Sequence, residues 1–215
     1  MTLELVIFDC DGMLVDTEAV TNRIIADFLE QYGLTIAEDE IVTLFSGGTM
    51  ASVGVEATKR GAKLPEGWLD EIYSVVFDAL RQGVAVIAGV EDLIDQLMAK
   101  GIAIAIASNG PMQKMEITLR PSGLWQRFEG RIYSGHQYAP KPKPDMLYQI
   151  MADAGVMPAQ TVMIDDMPSG CRAAQAAGVR CFGYVADGDP ARLDGTGAIK
   201  VWSMAEVADL LRAAS

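Results

Sequence analysis

The sequence predicts an α/β protein built on a doubly wound parallel sheet, with a small helical cap domain inserted after the first strand. Short apolar runs that end in polar or acidic residues alternate with segments of helical periodicity, which is typical of a parallel sheet covered on both faces. One long segment near the start has helical patterns and no strand. We therefore expect a core domain formed by residues 1–16 and 86–215, and a cap formed by residues 17–85.

The predicted strands are short runs of apolar residues, as expected for strands buried on both faces of a parallel sheet. They cover residues 3–9, 102–108, 161–165 and 180–185. Between the first two runs, apolar residues spaced by three and one predict a helix that ends before Gly101. These residues are Val90, Leu93, Ile94, Leu97 and Met98. The tail, residues 204–211, predicts a last amphipathic helix.

The inserted segment has two helical patterns, separated by glycines. The apolar residues of the first are Ile24, Ile25, Phe28, Leu29 and Tyr32, and those of the second are Ile72, Val75, Val76 and Leu80. Gly33 and the Gly47-Gly48 pair punctuate the insert, and Gly83 and Gly89 bracket its return to the core.

Composition and charge exclude several classes of function. The 215 residues are 50% hydrophobic and 21% charged, with a net charge of −12, which disfavours nucleic acids and anionic membranes and suits a soluble monomer. The three cysteines have unrelated spacings and suggest neither a disulfide framework nor a zinc site. No signal peptide or apolar run of membrane-spanning length is evident, so we expect a cytoplasmic protein.

Chemically useful side chains follow the predicted strands, and ligands of parallel sheets bind beyond the carboxyl ends of the strands. These stretches are Asp9-Cys10-Asp11-Gly12, Ser108-Asn109-Gly110-Pro111 and Asp165-Asp166, with the loop Lys141-Pro142-Lys143-Pro144-Asp145 before the last. Each alone has an ordinary interpretation as a solvated strand end or a helix cap. Together, four acids, a hydroxyl and a lysine without a histidine indicate Mg²⁺ chemistry on a phosphate group.

These stretches, in this order, resemble the motifs of the haloacid dehalogenase superfamily, in its sugar-phosphate phosphatase and β-phosphoglucomutase-like branch. The resemblance runs from residue 5 to about residue 185 and is similar in spacing to bacterial phosphatases of the 6-phosphogluconate type. It implies a Rossmann-like core, a cap and a phosphoric monoester hydrolase that acts on a small phosphorylated metabolite, such as a sugar or sugar-acid phosphate.

The resemblance also implies roles for individual residues. Asp9 would be the nucleophile that forms an aspartyl phosphate, and Asp11 the general acid and base, with a pKa raised by neighbouring carboxylates. Ser108, Asn109 and Lys141 would bind the phosphate together with Asp11. Mg²⁺ would be held by the Asp9 carboxylate, the Asp11 carbonyl and Asp166, with Asp165 in or beside the shell.

Some assignments remain open on sequence alone. Lys143 competes with Lys141, although the K-P-x-P-D pattern places the family's lysine at Lys141. Met167 stands where the family often has serine or threonine. The only histidine, His136, is expected to be structural, and Cys10 to be an unreactive spacer whose pKa the adjacent carboxylates raise.

Three alternative functions share part of this pattern. A sugar phosphomutase of the same branch usually has a histidine after the first motif and an arginine in the cap, where this chain has Thr21 and Met50. A phosphoacceptor receiver domain shares the chemistry but needs no insert of this length. A dehalogenase has no use for Asp11 or a metal site. Hydrolysis is therefore the predicted reaction.

Overall fold

A computed structural model describes residues 2–37, 40–41, 48–185 and 188–213 of the chain. The strands of these residues are, in chain order, β1 (Leu5–Phe8), β2 (Val15–Asp16), β3 (Ala85–Val86), β4 (Ala103–Ser108), β5 (Ile132–Ser134), β6 (Thr161–Asp165), β7 (Arg180–Tyr184) and β8 (Ile199–Val201).

The described α-helices follow the same order. They are α1 (Glu18–Gln31), α2 (Met50–Lys59), α3 (Trp68–Leu80), α4 (Val90–Ala99), α5 (Met112–Leu119), α6 (Leu124–Arg127), α7 (Asp145–Ala154), α8 (Pro168–Ala177) and α9 (Met204–Ala213). Short 3₁₀ turns lie at Pro158–Gln160 and Pro190–Leu193. No helix in the described ranges is both long enough and apolar enough to cross a membrane.

The main sheet is parallel and six-stranded, in the order β5-β4-β1-β6-β7-β8, and the predicted α/β class is confirmed. Side chains of the central strand β1 alternate between its two faces. Val6 and Phe8 pack in one core with α4 and α9, whereas Leu5 and Ile7 pack in the other with α7 and α8. Burial on both faces explains why this strand is uniformly apolar.

Helices α1, α2 and α3 pack around an apolar cluster of their own. Its buried members include Ile25, Leu29, Val53, Ile72 and Val76. The antiparallel pair β2–β3, in which Val15 faces Val86 and Asp16 faces Ala85, holds the two ends of the insert side by side. This pair brings the helices of the insert back over the end of β1.

Several expectations need correction. Strands β2, β3, β5 and β8 were not predicted, because a strand of two or three residues is too short to show a period in the sequence. Met98 and Val75, which belong to two of the predicted apolar helical patterns, are 48% and 46% exposed. At about 100° per residue, both lie at the margin of the stripe that their buried neighbours form. Gly47 lies outside the described residues.

Candidate active site

The chemistry lies at the carboxyl edge of the sheet, where β4, β1 and β6 end side by side. Phe8, the last residue of β1, pairs with Ile106 of β4 and Ile164 of β6. The register continues past the strand, because the Asp9 N–H donates to the Ile164 carbonyl at 2.9 Å. Asp9 and Asp165 therefore lie at the same level of the sheet, and Ser108 lies one residue further along β4.

Lys141 lies between two of these carboxylates. Its Nζ is 2.6 Å from Asp9 Oδ1 and 2.7 Å from Asp165 Oδ2, and its side chain is 3% exposed. Burial would lower the pKa of Lys141, but the charges of Asp165 and Asp9 raise it above its usual range. Lys143 is exposed. The geometry therefore favours Lys141 over Lys143 as the lysine of the site.

Asn109 holds the backbone of Lys141. Its Nδ2 donates to the Lys141 carbonyl at 2.9 Å, and the Lys141 N–H donates to its Oδ1 at 2.8 Å. The sequence analysis expected Asn109 to contact the phosphate, and that contact remains a prediction. In the structure, the Asn109 side chain positions the backbone of Lys141, which is 32 residues away in the chain.

Asp11 has different partners from Asp9 and Asp165. Its Oδ1 accepts from Thr17 Oγ1 at 2.7 Å and lies 2.8 Å from Lys114 Nζ. Burial alone would raise the pKa of Asp11, but the charge of Lys114 and the hydrogen bonds from Lys114 and Thr17 lower it overall. The expected raised pKa is therefore wrong for the protein without substrate. The cause is Lys114, which the expectation did not include.

Asp9, Asp165 and Asp166 form a cluster of buried carboxylates whose oxygens lie within 4.8 Å of one another. Burial and the neighbouring carboxylates raise the pKa of Asp9 to about 7, although Lys141 opposes the shift. Burial, followed by the charges of Asp165 and Asp9, raises the pKa of Asp166 well above its usual value. A bound cation would favour the charged form of these groups.

The Asp166 carboxylate also has an unused acceptor. Its Oδ1 is buried and has no hydrogen-bond partner among the described residues. A buried oxygen without a partner is costly unless something compensates for it. Oxygen ligands from several carboxylates suit a hard cation such as Mg²⁺, so the residues present fit this ion.

Two glycines leave room for these acids. A Cβ at Gly170 would lie 1.7 Å from Asp165 Oδ2, and a Cβ at Gly12, where φ is +73°, would lie 2.7 Å from Asp166 Oδ2. Asp165 Oδ1 accepts from the Met167 N–H at 2.8 Å. The backbone at position 167 thus holds the acid, whatever its side chain.

Ser108 is buried, and its Oγ accepts from the Gly110 N–H at 3.0 Å. Ser134 Oγ in turn donates to the Gly110 carbonyl at 2.6 Å. Helix α5 begins at Met112, and Pro111 directly precedes its first turn. These bonds keep the loop after β4 close to Asp9 and Asp11.

A cavity of about 140 Å³ lies between these residues and the helices of the insert. Asp9, Asp11, Ser108, Asn109 and Lys141 line one side. Residues of α1, α2 and α3 line the other side. The cavity is therefore open to the predicted nucleophile on one side and to the insert on the other.

The motif order and this geometry agree with a comparison against known families. The model of the haloacid dehalogenase-like hydrolases matches residues 6–184. The chain belongs to this family. The match includes the insert, every acid of the cluster and all of the main sheet except Leu5 of β1 and strand β8, in agreement with the range of the resemblance.

Individual relatives of this hydrolase are distant in sequence but similar over nearly their whole length. A 6-phosphogluconate phosphatase of Escherichia coli is 24% identical, over 86% of this chain and 84% of its own. A phosphorylated carbohydrates phosphatase of Thermotoga maritima is 25% identical, over 85% and 86%.

Solved structures give the same result. A haloacid dehalogenase-like protein of unknown function from Agrobacterium tumefaciens has a TM-score of 0.84 and 28% identity, covering 98% of both chains. A family hydrolase from Deinococcus radiodurans, solved with phosphate and sodium, has a TM-score of 0.77 and 28% identity, covering 99% of this chain and 96% of that one.

Sequence analysis missed three residues of this hydrolase. Lys114 pairs with Asp11; its signal is a lysine in the first turn of a helix, where the helix dipole disfavours a positive charge. Arg192 donates from Nε to the Asp166 carbonyl at 3.0 Å. Tyr73 lines the cavity from α3, and no local pattern distinguishes it from an ordinary core residue.

Cys10 lies between two acids of the site, and His136 contacts a residue that lines the cavity, so a structural role for His136 stays a prediction. Burial, followed by the charges of Asp11 and Asp9, raises the pKa of Cys10 well above its usual value, as predicted. His136 Nε2 lies 3.3 Å from the Tyr73 hydroxyl and so connects the loop after β5 to α3.

Proposed function

We propose that this protein is a Mg²⁺-dependent phosphatase that hydrolyses a small phosphorylated metabolite through an aspartyl-phosphate intermediate. The observation that carries the proposal is the Asp9–Lys141–Asp165 group beside the unpartnered oxygen of Asp166. A nucleophilic carboxylate, a buried cation and a cation site converge at one sheet edge. Phosphoryl transfer needs these elements, since catalysis depends mostly on positioning and on neutralising charge.

In the first step, an oxygen of Asp9 attacks phosphorus and the bond from phosphorus to the leaving alcohol breaks. Lys141 and Ser108 would hold the phosphoryl oxygens. Mg²⁺, held by the Asp9 carboxylate, the Asp11 carbonyl and Asp166, would neutralise charge on the transferring group. Asp165 would orient Lys141, because its Oδ2 accepts a hydrogen bond from Lys141 Nζ. In the second step, water attacks the phosphate on Asp9 and frees the carboxylate.

Asp11 would protonate the leaving oxygen in the first step and deprotonate water in the second. In the protein without substrate its pKa is lowered, so it has to gain a proton as the substrate binds. A phosphate dianion beside it favours the neutral form, because like charges raise the pKa of a carboxyl group. Thr17 and Lys114 would keep it in place throughout.

The Asp11→Asn variant tests this role. We expect kcat on an alkyl phosphate to fall by about 10²- to 10⁴-fold, and on p-nitrophenyl phosphate by far less, because an aryl leaving group needs little protonation in the first step. Single-turnover release of the alcohol isolates that step. Equal losses on both esters would contradict the acid role.

Hydrolysis is favoured over a phosphomutase by the cavity wall. Thr21 and Met50 line it at the places where a mutase of this branch would have cationic side chains. Neither side chain can bind a second phosphate by charge. The relatives' names support a sugar or sugar-acid phosphate as the substrate class. We further propose that residues 17–85 act as a cap and that the enzyme works as a cytoplasmic monomer.

The function is tested by incubating the protein with a panel of phosphorylated metabolites and Mg²⁺ and measuring released phosphate. We expect Mg²⁺-dependent release that a chelator abolishes. Phosphorus NMR with glucose 1-phosphate and a bisphosphate primer separates the two reactions. Glucose 6-phosphate that accumulates faster than inorganic phosphate would establish the mutase instead.

The metal site has a readout that does not require turnover. Titrating Mg²⁺ into wild-type protein should raise the midpoint of thermal unfolding, because a ligand that binds only the folded state stabilises it. The Asp166→Asn variant should need a much higher Mg²⁺ concentration for the same increase. An equal response in both proteins would exclude Asp166 as a ligand.

A further inference from the structure

The wall of the cavity opposite the nucleophile has no positive charge. The neutral residues that the insert contributes to the lining are Thr17, Thr21, Asn22, Ile25, Gly48, Thr49, Met50, Val53, Tyr73 and Val76. Glu18 adds an acid from the start of α1. A leaving group bound here meets apolar side chains, hydroxyls, an amide and one carboxyl group.

The cationic residues of the insert lie elsewhere. Arg23 and Lys63 are exposed, Lys59 and Arg60 pair with Glu56, and Arg81 pairs with Asp78. None of them lines this cavity. Residues 38–39 and 42–47, outside the described part of the chain, include no lysine, arginine or histidine. The insert therefore offers no cation to an anionic leaving group.

The core contributes two lysines to the lining, and both already have acidic partners. Lys114 Nζ lies 2.8 Å from Asp11 Oδ1, and Lys141 bridges Asp9 and Asp165. A second anion on the substrate would have to compete with these carboxylates. It would also enter a lining that contains Glu18, so it would meet repulsion and lose its hydration without compensation.

The same wall suits a neutral, partly apolar alcohol. Ile25, Val53 and Val76 are buried and at most 4% exposed. The Thr21 hydroxyl is buried and has no hydrogen-bond partner among the described residues. A hydroxyl group on the substrate would satisfy it, together with the neighbouring Asn22 and Thr49 side chains.

We infer that the substrate is the phosphate monoester of an uncharged alcohol, carrying neither a carboxylate nor a second phosphate. The inference rests on the proposed phosphatase and narrows its substrate class to neutral sugar or polyol phosphates. The wall has no cation that could pair with an acidic substrate. We therefore expect it to disfavour such substrates, of which 6-phosphogluconate is the clearest example.

A matched pair of substrates tests this selectivity. Sorbitol 6-phosphate and 6-phosphogluconate share a six-carbon chain and differ at carbon 1, where one has CH₂OH and the other a carboxylate. We expect kcat/KM for sorbitol 6-phosphate to be higher by at least about tenfold, since leaving an anion unpaired costs at least that factor. A value for 6-phosphogluconate that equals or exceeds it would overturn the inference.

A charge introduced into the wall tests its location. Met50→Arg places a cation in the cavity lining, whereas Val55→Arg places it on the same helix at a residue that is 59% exposed and does not line the cavity. We expect Met50→Arg to shift the ratio of the two kcat/KM values by about tenfold towards 6-phosphogluconate, and Val55→Arg by less than about twofold. Equal shifts in the two variants would overturn the assignment.

Hydrolysis of p-nitrophenyl phosphate separates this inference from the function on which it rests. Mg²⁺-dependent release from the aryl ester, with no preference for sorbitol 6-phosphate, would overturn only the neutral leaving group. Absence of release from every ester, the aryl ester included, would overturn the phosphatase itself and the inference with it.

Discussion

Replacing Asp9 with asparagine is expected to lower turnover by at least about 10⁴-fold, because the variant lacks the carboxylate that we propose as both nucleophile and cation ligand. The fold should survive. Asparagine has nearly the same shape, and Lys141 keeps its contact with Asp165 at 2.7 Å. Phosphate release measures the loss of turnover, and circular dichroism measures whether the fold is retained.

The chemical position of the intermediate gives an independent check on Asp9. Beryllium fluoride mimics a phosphoryl group on a carboxylate, so fluorine NMR of wild-type protein with Mg²⁺ should show a bound species that Asp9→Asn lacks. The Asp153→Asn variant is a control, since this acid bonds Tyr133 and Gln149 and does not line the cavity. A bound species that persists in Asp9→Asn, or activity within tenfold of wild type, would exclude Asp9 as the nucleophile.

Replacing Lys141 with alanine is expected to lower both activity and stability. Turnover should fall by about 10²- to 10³-fold, because charge on the transferred phosphoryl group loses a preorganised partner. The free energy of unfolding should fall by about 3–5 kcal/mol, because Asp9 and Asp165 lose the buried cation between them. Initial rates and urea unfolding measure the two effects.

The matched control for Lys141 is two residues away in the same loop. Lys143→Ala removes an exposed lysine. It should leave both the activation free energy of turnover and the free energy of unfolding within about 0.5 kcal/mol of their wild-type values. Lys141→Met retains the bulk of the side chain, so it separates lost charge from lost packing if the alanine variant unfolds. Comparable losses in the Lys141 and Lys143 variants would show that the wrong lysine was assigned.

The sequence by itself determined four of the six strands of the main sheet and the acids at its edge. Buried parallel strands are continuous apolar runs, and β1, β4, β6 and β7 agree with their predicted bounds to within two residues at each end. Residues that directly follow such strands must lie at the carboxyl edge, so Asp9, Ser108 and Asp165 could be placed together without a structure. An apolar run and the polar residues at its end are adjacent in the chain, so the pattern of a single segment was enough to predict each strand and its site residue.

The tertiary structure decided what each of these residues contacts. Lys114 is six residues from the end of β4, and only the packing of α5 beside Asp11 shows that it reverses the expected pKa shift. Asn109 and Lys141 are 32 residues apart, and the backbone clamp between them has no sequence pattern.

The absence of a positive charge from the cavity wall likewise follows only from the way in which α1, α2 and α3 fold over the sheet. Each of these helices packs an apolar stripe into the one cluster that the three helices share. The residues that line the cavity belong to these stripes or border them. Periodicity tells that a helix face is buried but not what covers it. The sequence therefore determined where the phosphate chemistry lies, and long-range packing decided the charge and shape that the leaving group meets.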